Sequence, residues 1–367
     1  MSRPAQVVIN LAALRHNFSR VRTLASASKI IAIVKANAYG HGLVRVANAL
    51  PDADGFGVAC LEEATELRDA GISKPIVLLE GPYVGSELTE IVRLGLDVII
   101  HHEDQIRMLE QHQGGGVVKV WMKVDSGMHR LGFDPAAVKT CWLRLHNCKS
   151  VHQDIHLMTH MANASNPESW MTQRQLEVFN NCCRGIPGLR TLANSAALIA
   201  WPQTQADYVR PGLMLYGVSP MDGKTAADHN LLPVMSLRST LISIRQVNRG
   251  EPVGYGADWL CPEAMPVGIV AAGYGDGFPR HGRTGTPIMI NGKRSQIIGN
   301  PSMDMLTVDL RNIPGVKTGD PVELWGDALP VEDVAKSAKT IPYELLCAVH
   351  KRLKVIVHGQ AEDTVSV

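Results

Sequence analysis

The sequence predicts an α/β protein, a TIM-type (β/α)8 barrel followed by a mainly β C-terminal domain, and three observations carry that prediction. Short β-branched runs alternate with helical periodicity in a regular beat; eight such runs can be counted; and the beat stops near residue 220, where strand-like runs sit between Gly and Pro turns. The length, 367 residues, exceeds one ordinary domain and suits two.

A first apolar period from Leu11 to about Ala25 reads as a helix. The eight runs follow at 29–35 (KIIAIVK), 55–59 (GFGVA), 75–80 (PIVLLE), 97–101 (DVIIH), 117–125 (VVKVWMKVD), 151–160, 191–194 and 207–210. Helical spacing fills the gaps at 61–70, 86–94, 103–111, 135–147 and 169–183, several of which open with Glu, Ser or Pro as helix starts prefer. A doubly wound open sheet satisfies the same alternation, but the even count and short connections favour closure. In the second half, strand-like runs lie at 237–247, 267–272, 287–290, 296–298 and 305–310, with one helical patch at 331–339. The polar stretch 221–230 (MDGKTAADHN) suits an interdomain linker.

Composition narrows the function. With 45% hydrophobic and 19% charged residues, disorder, collagen and coiled coil are excluded. Lys+Arg 36 against Asp+Glu 35 leaves a net charge of +1, so no global field draws a nucleic acid or an anionic membrane, and any anion site must be local. No apolar run approaches the roughly 20 residues of a membrane span. Seven cysteines, an odd number without a C-x-x-C pair, and a start unlike a secretory signal predict a cytoplasmic protein.

In a barrel the functional residues belong at the C-terminal ends of the strands. There the sequence places Lys35, then Lys123 and Asp125 followed by Arg130, then His160, then Asn194 and Ser195, then Arg210 and Gly212. The loops after the last two strands are the usual phosphate site, and they offer the Ser195 hydroxyl and the backbone around Gly212. A strand-end lysine beside a phosphate cradle can form an imine with the aldehyde of pyridoxal phosphate, although a lone lysine there serves equally as a solvated charge. His152, His156 and His160 mimic a helical metal row, but their run reads as a strand and no Cys or acidic cluster completes a site, so no metal is expected. Adjacent Cys182 and Cys183 read as helix packing.

The segment AIVKANAYGHG at 32–42 resembles the pyridoxal-phosphate attachment segment of bacterial alanine racemases. The likeness continues, in the family's order and spacing, through WMKVDSGMHRLG at 121–132, ANSA at 193–196, VRPGLMLYG at 209–217, PVGYG at 252–256, GYGDG at 273–277 and SMD at 302–304. The resemblance implies a homodimer with shared active sites. Each subunit would have a barrel over 11–228 that binds pyridoxal phosphate. Its β domain over 229–367, joined by a strand over 1–10, would supply Tyr255 to the partner's site.

Residue by residue, the resemblance implies that Lys35 holds the cofactor as an imine and takes the α-proton of the D substrate, with Tyr255 as the second base on the opposite face. Inverting a carbon centre with a two-base mechanism takes proton acceptors on both faces of the planar carbanion, and an ordinary amine or phenol serves as one near pH 7 only when neighbouring cations favour its deprotonated form. The likeness places His160 and Arg210 near that tyrosine. Arg210 would also contact the pyridine nitrogen and, being unable to give up a proton readily, leave it unprotonated.

Tyr39, Asn194, Ser195, Gly212 and the N–H of Leu213 resemble the rest of the cofactor site, Arg130 and the Met303 backbone resemble substrate contacts, and Lys123 matches a position carbamylated in some members. Tyr274 would flank the approach. Three positions depart from the pattern: Ser165 replaces an acidic residue, Asn300 an arginine, and Lys351 a C-terminal tyrosine, with Tyr343 nearby. The implied activity is interconversion of L- and D-alanine for peptidoglycan. A broader racemase acting on serine is the nearest alternative. A non-enzymatic pyridoxal-phosphate carrier would share only the barrel, and a barrel decarboxylase would need motifs that the chain lacks.

Overall fold

The computed structural model describes residues 3–360. The chain opens with strand β1 (Gln6–Asn10), whose last side chain caps the helix Leu11–Leu24 by accepting from the Ala13 N–H at 3.1 Å. That helix buries Leu11, Leu14, Phe18 and Val21 at helical spacing, together with Asn17. Asn17 is a polar clasp: its amide donates to the Leu215 and Leu232 carbonyls at 3.1 and 2.8 Å and accepts from the Leu232 N–H at 2.8 Å. A buried amide so satisfied fixes where the chain leaves the barrel.

Eight parallel strands then close into a barrel: β2 (Lys29–Ile33), β3 (Gly55–Val58), β4 (Ile76–Leu78), β5 (Asp97–Ile100), β6 (Lys119–Lys123), β7 (His156–Met158), β8 (Arg190–Asn194) and β9 (Tyr208–Arg210). Closure is the pairing of β2 with β9, Lys29 opposite Tyr208 and Ile30 opposite Val209. The expected run 151–160 contracts to three residues, with Val151 contributing one isolated bridge to Val118. On β6, Lys119, Trp121 and Lys123 alternate onto the barrel interior and run from one mouth to the other.

The remaining strands, β10 (Met235–Val247), β11 (Met265–Val270), β12 (Pro287–Ile290), β13 (Lys293–Gln296), β14 (Leu306–Asp309), β15 (Pro321–Trp325) and β16 (Lys354–His358), form one sheet with β1. Along its main path the order is β13-β12-β15-β10-β1-β16, so β1 lies between antiparallel β10 and parallel β16. The helical patch near 331 is Val331–Ser337, and a second helix, Pro342–Cys347, follows; six residues are too few to show a period in sequence. The polar stretch after residue 220 is ordered, not slack. Thr225 and Asp228 form a capping box on a 3₁₀ turn, and Glu332 accepts from the Ser219 and Ala226 N–H groups, both at 3.0 Å. Among the described residues no helix is long and apolar enough to cross a membrane.

Candidate active site

The site begins with a backbone the sequence does not advertise. After Val34 the chain turns left-handed at four successive non-glycine residues, Ala36, Asn37, Ala38 and Tyr39, with φ of 53°, 53°, 53° and 52°. L-residues disfavour this by roughly 1–2 kcal/mol each, so the turn needs outside support. Asn37 Oδ1 accepts from the Leu43 N–H at 2.9 Å, and the Gly42 N–H donates to the Asn37 carbonyl at 3.0 Å. Wholly buried His41 contributes its Nδ1–H, shared between the Ala38 and Tyr39 carbonyls at 3.0 and 2.9 Å. Burial holds that imidazole neutral, with its pKa pushed down to about 4. Gly40 closes the turn at φ 81°, where a Cβ would collide with the Leu346 carbonyl of the helix Pro342–Cys347. The consequence is that half-buried Lys35 stands at the rim while Tyr39 folds inward onto Tyr216, ring centroids 4.8 Å apart.

Tyr39 meets a cradle from the last two barrel loops. The Ser195 hydroxyl accepts from the Gly212 N–H at 2.8 Å, and Asn194 caps the helix Ser195–Ala200 through the Ala197 N–H at 3.0 Å. Gly212 leaves room for that ring, because a Cβ would come within 2.7 Å of Tyr39 Oη and displace it. Leu213, buried, begins the next 3₁₀ turn. A third aromatic ring, Tyr343, approaches Tyr39 at 5.7 Å. Lys351, the position matched to the family's C-terminal tyrosine, is exposed in a turn instead, so Tyr343 is the tyrosine that stands at this place.

Beside the cradle lies an almost purely cationic cluster. Arg210 is 4% exposed, yet every partner is neutral: Thr191 Oγ1, and the Thr159 and Leu192 carbonyls at 2.7 and 3.1 Å. Burial lowers its pKa to about 9, still above neutrality. Lys123 is pushed down to about 8 by burial and by Arg210, Arg130 and Lys35. His160 is pushed well below its usual value by burial and by Arg210, and its Nε2 lies 3.5 Å from the Asn194 amide. Asp125, the carboxylate nearest in sequence, is tied to the Gly127 and His129 N–H groups at 3.0 Å each. A buried cation with no counter-charge is costly unless an anion completes it. The cradle and cluster therefore fit a phosphate and a second negative or electron-rich group.

Tyr255 and Met303 lie elsewhere, on the β domain, 70% and 54% exposed. Asn300 accounts for part of the Tyr255 geometry: its amide donates to the Tyr255 carbonyl at 2.8 Å and to Asp258 at 2.5 Å, bracing a turn flanked by Gly254 and Gly256. Behind Met303, fully buried Asp276 is gripped by Arg3 at 2.6 Å and Arg352 at 2.9 Å, while the Gly275 N–H donates to the Met303 carbonyl at 2.8 Å. Leu260, Tyr274 and Met305 extend the exposed apolar surface around these two residues. The structure thus brings together Lys35, Tyr39, Lys123, Arg130, His160, Asn194, Ser195, Arg210, Gly212 and Leu213 at one rim, and leaves Tyr255 and Met303 on a separate exposed face. Sequence reasoning missed the supports, His41, Thr159, Thr191 and Tyr216; of these His41, inside the 32–42 segment, and Tyr216, inside the 209–217 segment, carried a signal.

A closed parallel barrel with a lysine and an anion cradle at its C-terminal mouth, joined to a β domain, defines a barrel enzyme for an anionic cofactor or substrate. The chain belongs to the alanine racemase family, a family of isomerases: the model described as "Alanine racemase, N-terminal domain" matches residues 9–220 and "Alanine racemase, C-terminal domain" matches 234–357. It is 49% identical over 350 residues to the biosynthetic alanine racemase of Escherichia coli K12, covering 95% of this chain and 98% of that protein. The biosynthetic alanine racemase of Pseudomonas aeruginosa superposes with a TM-score of 0.95 at 43% identity, covering 98% of this chain and all (100%) of that one. The alanine racemase of Bacillus anthracis, solved with bound L-Ala-P, gives 0.85 at 27% identity over 97% and 95% of the two chains.

Proposed function

We infer that the protein is a pyridoxal-phosphate-dependent alanine racemase that interconverts L- and D-alanine and so supplies D-alanine for peptidoglycan. The observation that carries this reading is the cation cluster of Lys123, Arg130 and Arg210, balanced only weakly by Asp125, beside the Tyr39–Ser195–Gly212 cradle, with Lys35 at its edge, in a chain of this family. When bound, the cofactor supplies covalent attachment at Lys35 and acidifies the α-carbon hydrogen of an attached amino acid.

The chain's own residues do the rest. Tyr39, the Ser195 hydroxyl and the backbone N–H groups of Gly212 and Leu213 would hold the phosphate of the cofactor, and Asn194 and neutral His160 would contribute to the rest of its site. Arg210, pinned by Thr159 and Thr191, would offer the pyridine nitrogen of the cofactor a hydrogen-bond donor that keeps its own proton. Lys35 Nζ takes or returns the α-proton on one face. Tyr255 Oη serves the other face from a second copy of the chain, whose exposed Tyr255–Met303 surface would cover this rim in a homodimer. Arg130 and the Met303 backbone orient the substrate carboxylate. Lys123, with a pKa near 8, holds enough neutral amine to take up carbon dioxide as a carbamate, which would place a negative charge among Arg130 and Arg210. Seven unpaired cysteines support residence in the reducing cytoplasm.

The test is borohydride reduction of the purified holoenzyme followed by peptide mapping. Label on Lys35 and loss of absorbance in the visible edge are expected, and label elsewhere defeats the assignment. Racemisation of alanine and serine measured side by side decides the substrate, a serine preference overturning the narrower reading.

A further inference from the structure

The barrel has a second mouth. At the N-terminal ends of its strands, opposite the lysine rim, the interior opens into a cavity of about 440 Å³. Trp121 and Tyr208 line it with rings set edge to face, centroids 5.0 Å apart at 81°, and Ile31 and Val77 add apolar wall. His156 stands against Trp121 at 4.6 Å, its Nδ1 buried without a partner. Among these rings lies the carboxylate of Asp97, 9% exposed, which accepts from Trp121 Nε1 at 3.1 Å and forms no ion pair among the described residues.

The charged groups facing Asp97 do not satisfy it. Lys119, its neighbour on β6, is exposed and makes no salt bridge to it, and exposed Lys29, at the start of β2, lies over the Tyr208 ring at 5.6 Å and makes none either. Arg68, on the helix Leu61–Asp69, spends its guanidinium on the Ile72, Lys74 and Leu94 carbonyls at 2.6, 2.8 and 2.9 Å. His156 is held neutral by burial. Of the two other carboxylates at this mouth, Asp54 is taken by Arg22 at 3.0 Å and Asp154 opens to solvent. A buried carboxylate among aromatic faces, lacking its own cation, is the chemistry that recognises an organic cation.

We propose that the N-terminal mouth of the barrel is a binding site for a small organic cation, an amine or quaternary ammonium with an apolar tail, anchored on Asp97 and the Trp121 and Tyr208 rings. The site is separate from the lysine rim and stands whether or not the reading of that rim is correct.

Benzyltrimethylammonium is the probe, because a quaternary nitrogen cannot form an imine. It is titrated calorimetrically into holoenzyme whose rim is saturated with alanine. Saturable binding is expected in the wild-type chain, about tenfold weaker in Asp97→Asn, whose amide oxygen can still accept from Trp121. It is lost in Leu189→Trp, which fills the mouth from a surface position, so the idea remains testable if the first variant fails to fold. Phenylacetate, of similar size and opposite charge, binds at least about tenfold more weakly than the cation. Absence of saturable binding, equal affinity in Asp97→Asn, or phenylacetate binding as tightly as the cation overturns the proposal.

Discussion

The two mouths of the barrel are built from the same strands and carry opposite electrostatics. At the C-terminal mouth, Lys35, Lys123, Arg130 and Arg210 face one another, and the nearest carboxylate in sequence, Asp125, is consumed by backbone N–H groups. At the N-terminal mouth the lining includes Asp54, Asp97 and Asp154, with Lys119 among them and Lys29 over the Tyr208 ring. A single strand shows how closely the two regimes can sit: Lys119, Trp121 and Lys123 occupy alternate positions of β6, and the indole separates them. The same alternation puts His156 at one mouth and, four residues on, His160 at the other. The fold supplies a two-ended tube, and side chains two residues apart decide which end holds an anion.

This contrast can be broken from either end. The largest effect is expected from Lys35→Ala, which should lower kcat/KM for alanine by at least about 10⁴-fold and abolish the visible-edge absorbance; retained absorbance would refute the lysine assignment. Tyr255→Phe should keep the cofactor spectrum and lose roughly 10²–10⁴-fold in rate, chiefly from L to D. Gly212→Ala drives a methyl to within 2.7 Å of Tyr39 Oη, so cofactor affinity should fall about tenfold in an equilibrium titration while the fold, read by circular dichroism, stays intact.

His41 offers a pH test. Its folded pKa of about 4 lies below the ordinary 6.5, so the unfolded chain binds the extra proton first and stability falls as pH drops from 6.5 to 4. The full loss from this one group is about 3 kcal/mol. His41→Gln should flatten the fall of Tm between pH 7 and pH 4.5, and an unchanged slope would show that the imidazole is not what fails. The smallest effect belongs to the other mouth. Lys119→Ala should leave kcat/KM within about twofold, and a larger drop would mean that the two ends are coupled.

What sequence can reach follows from these particulars. The barrel's beat is readable because β-branched runs and helical periods of ordinary length alternate, as at 29–35 and 61–70. The turn at Ala36–Tyr39 is not, since alanines favour a right-handed helix and only bonds from His41 and Asn37, with the backbone packed on Leu346, reverse the preference. Thr159 and Thr191, which hold Arg210, have no spacing that marks them. Tyr255 sits exposed between two glycines, and resemblance alone singles it out. The rim lysines and the cradle are legible for the opposite reason: a polar residue closing a β-branched run is itself a feature of the sequence, and barrel geometry gathers such residues at one mouth.

The placement of β1 also orders events in time. Its register pairs Gln6 with Arg238 on one side and Lys354 on the other, so this early strand waits for β16, far along the chain, before both its edges are covered. The barrel strands, ending at Arg210, can pair while the ribosome is still extending the chain, whereas the sheet bearing Tyr255 is completed only once β16 has emerged. A prematurely terminated product would thus carry the barrel strands and lack both a finished second half and the Leu346 support of the Lys35 turn, with an unpaired strand edge open to association.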